Sequence, residues 1–187
     1  MKPEVIPNLL SVFRILLIVP AVLLILRQDY VLATAVTALA VFTDGLDGFL
    51  ARRFGWHSRI GGFLDPVADK LLFVAVFLVL GFAGHIAWWL VALVIGRDIV
   101  IASGAFVYQR LIGKLDPEPT LLSKTNTVLL FLFVAAVMLQ LTGLKWATAE
   151  LVDVLRVLVV IMVVGSGLQY VWVWGNRAFE EARKHES

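Results

Sequence analysis

Asp44, Asp47, Asp65 and Asp69 crowd one short segment of a very apolar chain. Placing one charge near lipid costs about 3 kcal/mol on insertion scales, so four of them demand something that neutralises them. Their spacing narrows the choice. Asp44 and Asp47 stand at i,i+3 and share one face of a helix, while Asp65 and Asp69 stand at i,i+4 and share a face of a second. Between the pairs, residues 52–59 (Arg-Arg-Phe-Gly-Trp-His-Ser-Arg) read as a basic turn. Two antiparallel helices joined there aim all four acids at one point, one to two helical turns below the connection. Ligands that are all oxygen suit hard cations such as Mg2+, Mn2+ or Ca2+. Four carboxylates are enough for two such ions, and ions about 4 Å apart clamp a phosphoryl group undergoing displacement. Gly48 and Ala51 continue the first acidic face with almost no side chain, so a flat or charged ligand can reach the backbone there. The plainer alternative pairs the acids with Arg52, Arg53, Arg59 and Lys70, but simple ion pairing does not require this spacing.

The elements that must hold these acids are membrane helices. The chain has 187 residues, of which 60% are hydrophobic and 16% charged, with a mean hydropathy of +0.92. A soluble domain carries roughly 25% charged residues. The pattern predicts an all-α integral membrane bundle, a single domain over residues 1–187, with spans at about 8–26, 30–53, 61–82, 86–110, 120–142 and 150–174. Residues 2–7 read as an interfacial lead-in and 176–187 as a short charged helix or frayed tail. The first apolar run is interrupted by Arg14 and Pro20 and has no small-residue cleavage site, so it reads as a retained span rather than a signal peptide. Cysteine is absent, which excludes disulfides and thiol chemistry. Arg52, Arg53, Arg59, Arg110, Lys114 and Lys124 fall on one side, against Arg27 and Lys145 on the other. The positive-inside rule then places both termini and the acids on the cytoplasmic side, which for a bacterium means the inner membrane.

The pattern Asp44-x2-Asp47-Gly48-x2-Ala51-Arg52-x8-Gly61-x3-Asp65-x3-Asp69 resembles the signature of the CDP-alcohol phosphatidyltransferases, with every fixed position matched. The resemblance covers residues 6 to about 130. It implies transfer of a phosphatidyl group from CDP-diacylglycerol to an alcohol, with CMP leaving, on a six-helix homodimer that uses two divalent cations, Mg2+ or Mn2+. It further implies that Asp44, Asp47 and Asp65 hold one ion and that Asp44, Asp65 and Asp69 hold the second. Asp69 is then the general base, and Gly48, Ala51, Arg52 and Gly61 cradle the CDP moiety.

Other polar residues inside the spans each carry two readings. Asn8, Ser11 and Arg14 share a face of the first span; they either line the nucleotide pocket or snorkel to the interface. Arg97 with Asp98 is either a phosphate-binding arginine with its brace or a structural pair. Lys124 and Asn126, within Ser-Lys-Thr-Asn-Thr at the start of the fifth span, are either an anion site for acceptor or lipid phosphate or, for Lys124, ordinary snorkelling. Glu150, Asp153 and Arg156 read as mutually satisfying, and Trp88, Trp89, Trp172 and Trp174 as interfacial anchors.

For the acceptor, Arg97-Asp98 and the Ser123-Lys124 opening resemble the cardiolipin-forming branch of the family, whose acceptor is phosphatidylglycerol. The branch that makes phosphatidylglycerophosphate from glycerol 3-phosphate is nearly as similar. A cation transporter is the alternative from another class. It predicts repeated halves and helices broken near the midplane, whereas here all four acids lie beside one turn.

Overall fold

The computed structural model describes the backbone of residues 5–54, 61–111 and 121–185; within these, side chains are described outside 5–8, 47–48, 50–52, 61–64, 66, 105–111, 121–124, 171 and 173–185. Six helices follow in order: α1 (Val5–Leu26), α2 (Tyr30–Phe54), α3 (Gly61–Phe82), α4 (Trp88–Leu111), α5 (Leu121–Leu141) and α6 (Ala149–His185). No strand occurs among the described residues. Among the described residues, two stretches are long and apolar enough to cross a membrane, Leu9–Leu26 and Ala149–Tyr170; Tyr30–Leu46 and Thr125–Leu141 are apolar but shorter. The chain divides into two compact units, Met1–Ile86 with Val137–Ala147 and Ala87–Ala136 with Thr148–Ser187.

In the first unit the helix ends are fixed by local backbone chemistry. Gln28 adopts φ 63°, and Gln28 N–H bonds Ile25 C=O at 3.0 Å while Asp29 N–H bonds Leu24 C=O at 3.0 Å. This pair of bonds around a left-handed residue closes α1 as a Schellman cap. Asp29 then opens α2, its carboxylate accepting from Leu32 N–H at 3.2 Å as an N-cap. At the end of α3, Gly84 takes φ 82°, and His85 N–H reaches back to Leu80 C=O at 2.9 Å. Here glycine removes the Cβ penalty of the left-handed turn. Tyr30 Oη and His85 Nε2, 2.8 Å apart, tie the start of α2 to the end of α3.

The packing of this unit departs from a simple α2–α3 hairpin. α1 lies against both α2 and α3, while α2 and α3 touch each other sparsely. The reason is visible in the buried stripes. α2 carries Ala33 and Ala40 and α1 carries Ala21 and Ile25, all four fully buried. Small residues let two helix backbones approach closely, which is how helices pack where lipid gives no hydrophobic drive. On α3 the buried stripe is Ala68, Leu72, Val76 and Leu80. Outward positions such as Leu16, Val19 and Phe42 are exposed and apolar.

In the second unit α4 packs on α6. α6 begins under a Thr148 cap, whose hydroxyl accepts from Leu151 N–H at 3.3 Å. It runs without a break to His185, so the expected end near Trp174 is not a helix end. The stretch has no proline, and Ala178, Glu180, Glu181, Ala182, Arg183 and Lys184 favour a helix against the weaker Gly175 and Asn176.

Candidate active site

The buried stripes of the first unit end in polar groups at one level. On α2, the stripe Ala33, Thr37, Ala40 continues at helical spacing to Asp44. On α3, Asp65 and Asp69 continue the stripe of Ala68 and Leu72. On α1, Ser11 and Arg14 continue that of Ala21 and Ile25, and both polar side chains are themselves fully buried. Extension of three apolar faces therefore brings three carboxylates and one guanidinium together.

Arg14 is the hub. Its Nη1 lies 2.8 Å from Asp44 Oδ1 and also donates to Asp69 Oδ1. Ser11 Oγ donates to Asp65 Oδ1. Two oxygens bonded to one nitrogen lie within about 6 Å of each other, twice a hydrogen-bond length. Arg14 has no exposed side-chain surface, whereas the side chains of Asp44 and Asp69 are 40% and 39% exposed. The carboxylates thus meet Arg14 on their inner side and open outward on the other.

Among the described residues, the cation bonded to both Asp44 and Asp69 comes from α1. The side chains of Asp47, Gly48, Ala51, Arg52 and Gly61, and the whole of Arg59, lie outside the described residues. Among the described residues no group of three or more His, Cys, Asp or Glu stands ready around one metal position. The donor chemistry nonetheless fits a cation. Asp44 and Asp69 share one guanidinium, which leaves that bonded group with an excess of negative charge, and Asp65 is held by the neutral Ser11, which shares a helix face with Arg14. Asp44, Asp65 and Asp69, with Asp47 beside them in sequence, are hard oxygen donors of the kind Mg2+ or Mn2+ takes.

The second unit holds the other polar centre. Arg97 donates through Nε to Ser166 Oγ at 3.1 Å and through Nη1 to Asp98 Oδ1 at 3.0 Å. Its guanidinium carbon lies 5.9 Å from the centroid of the Tyr170 ring, within cation–π range. A Cβ built on Gly167 would stand 3.8 Å from Arg97 Cγ. Ser166, Gly167 and Tyr170 thus form a saddle on α6 that seats the α4 arginine, so the sixth helix contributes more than hydrophobicity. Its signal in the sequence is a serine and a tyrosine at i,i+4 with a glycine beside the serine. Asn126 is buried, and its Oδ1 has no hydrogen-bond partner among the described residues. The side chains of Ser123 and Lys124 lie outside them. Arg156 pairs with Asp153 at 2.9 Å, both well exposed.

A three-helix carboxylate site in an apolar all-helical chain defines a class: a membrane-type protein with an oxygen-donor centre. The comparisons make that class specific. The chain belongs to the CDP-alcohol phosphatidyltransferase family, whose profile matches residues 4–171. It is 48% identical over 104 residues to a CDP-diacylglycerol–glycerol-3-phosphate 3-phosphatidyltransferase of Pseudomonas fluorescens, covering 52% of this chain and 53% of that protein. It is 37% identical over 151 residues to a CMP-forming cardiolipin synthase of Rattus norvegicus, covering 72% of this chain and 50% of that protein. A glycerol-3-phosphate 3-phosphatidyltransferase of Blochmanniella floridana is 34% identical over 142 residues, covering 73% of this chain and 74% of that protein. The alignments span about half the length of the first two relatives. Relatives of both kinds match, so the comparisons single out neither acceptor.

Proposed function

We propose that this protein is a phospholipid-synthesising phosphatidyltransferase, moving the phosphatidyl group of CDP-diacylglycerol to a hydroxyl and releasing CMP. The observation that carries this is the convergence of Asp44, Asp65 and Asp69 on the inner face of three packed helices, in a chain of this family. Asp44, Asp47, Asp65 and Asp69 would hold two divalent cations, Mg2+ or Mn2+. When bound, these supply neutralisation of the diphosphate and of the departing CMP phosphate.

The chain's own residues do the rest. Asp69 accepts the proton of the acceptor hydroxyl. That oxygen forms a bond to the lipid-side phosphorus, and the bond from this phosphorus to the oxygen shared with CMP breaks. Gly48, Ala51, Arg52 and Gly61 cradle the cytidine diphosphate. Arg97, Lys124 and Asn126 serve the acceptor or lipid phosphate. Arg97 suits this because Ser166 and Asp98 already fix its plane. The whole chain acts as one membrane domain of six spans, in a homodimer, with the acids at the cytoplasmic end of α2 and α3.

Phosphatidylglycerol is the acceptor that Asp98 and Ser123 favour, giving cardiolipin. Glycerol 3-phosphate is supported equally by the names of the relatives. The test supplies purified protein with CDP-diacylglycerol, Mg2+ or Mn2+, and each acceptor separately. Cardiolipin and CMP with phosphatidylglycerol alone uphold the first reading. Phosphatidylglycerophosphate with glycerol 3-phosphate alone replaces it with the second. CMP from neither sinks the proposed acceptors together.

A further inference from the structure

We propose that Arg14 is the built-in counter-cation of the carboxylate site, and that it competes with divalent metal for Asp44 and Asp69. The proposal rests on the reading of those acids as metal ligands. Arg14 is fully buried and one of its nitrogens serves two carboxylates from two different helices. Without it, Asp44 and Asp69 would repel each other across the space that Arg14 now fills. A chain this apolar needs that charge offset whenever metal is absent, and α1 supplies it from its own sequence.

The same placement creates the competition. A guanidinium bonded to both carboxylates sits where an ion bridging them would have its ligands. Two cations a few ångströms apart repel, and the one already in place is fully buried. Arg14 must therefore leave Asp44 and Asp69 before they can hold a divalent ion. Ser11 differs, because its hydroxyl is neutral and leaves Asp65 oriented and still charged. Asp65 is the ligand set in advance, and Asp44 and Asp69 are the ones released. Asp69 is also freed for proton transfer by the same movement, so the metal-free protein is held in an inactive arrangement.

The test measures Mn2+ binding by electron paramagnetic resonance on the full chain in detergent, with no lipid substrate, alongside thermal unfolding with and without Mn2+. Arg14→Gln should bind Mn2+ about tenfold more tightly than the wild type, and should lose thermal stability chiefly when metal is absent. Arg14→Lys keeps the charge without the fork that serves two carboxylates, and should fall between the two. Unchanged or weaker Mn2+ binding in Arg14→Gln overturns the proposal. If that variant does not fold, Arg14→Lys decides, with wild-type affinity or weaker counting against competition. Asp44→Asn separates the premise from the proposal: Mn2+ binding that survives it unchanged removes the metal-ligand reading itself, and the competition with it.

Discussion

Arg14 and Arg97 solve the same problem in opposite ways. Arg97 finds a carboxylate on the next residue, Asp98, and also bonds Ser166. That pair matches one acid to one base. Arg14 finds no acid on its own helix. It draws on Asp44 and Asp69, thirty and fifty-five residues away, from two other helices, and Asp65 adds a third carboxylate beside it through Ser11. That centre keeps a surplus of negative charge and opens outward. The difference teaches what each place can accept. A balanced pair with its plane fixed presents a guanidinium to an anion such as phosphate. A cluster in which carboxylates outnumber the guanidinium they share invites more positive charge. An intramembrane charge is costly wherever it lies, so the kind of partner a protein supplies for it indicates what it expects from outside.

The largest effect that would break this contrast falls on Asp69. Asp69→Asn keeps the size and removes the base, and should lower CMP release by a factor on the order of 10² to 10⁴, the usual worth of a positioned general base. Asp98→Asn, on the balanced side, should act on the acceptor. Its effect should appear as a rise in KM of several-fold with a smaller change in kcat, because it loosens a group that binds rather than one that reacts. Steady-state kinetics on both variants with Mn2+ held saturating checks the pair. Equal losses of kcat would erase the distinction between the two centres. Removal of metal by chelation should abolish turnover in the wild type and leave its helical circular dichroism intact, since Arg14 then still bridges α1 to α2 and α3.

Much of this was legible in the sequence, and the failures share a cause. The six helices follow from apolar length and from turn residues. Gly84, and Asp29 opening α2, mark ends by local chemistry alone, and local chemistry is what a sequence displays. The carboxylates were visible because their spacing is helical on each side of one turn. The role of α1 was less visible. Ser11 and Arg14 do lie on one face, but an arginine near the end of a span reads equally well as snorkelling. What decides it is that α1 packs against both α2 and α3, a long-range fact. The seat for Arg97 on α6 was missed for the same reason. Ser166 and Tyr170 are unremarkable in a span until an arginine from another helix is placed over them. Of the two readings of 176–187, the charged helix holds as far as His185, continuous with α6, because hydropathy marks where a membrane ends, not where a helix does.

Smaller effects sharpen the contrast by asking how firmly each arginine is held. Ser166→Ala leaves Arg97 with Asp98 and removes one neutral acceptor. The net loss should be about 0.5–1.5 kcal/mol in unfolding free energy, read as a modest drop in thermal midpoint. The arginine's orientation should loosen with it, so acceptor KM should rise while kcat holds. Ser166→Thr, which restores the hydroxyl, should recover most of that KM. At the bottom of the scale stands Asp153, whose pair with Arg156 is exposed on both sides, 44% for the arginine and 60% for the aspartate. Water and salt screen such pairs, and their worth is typically within about 1 kcal/mol. Asp153→Asn should therefore leave the thermal midpoint, Mn2+ affinity and both Michaelis constants unchanged within error. A clear loss in any of them would mean that an exposed ion pair on α6 matters as much as the buried ones, and that burial is not what separates the functional charges of this chain from the rest.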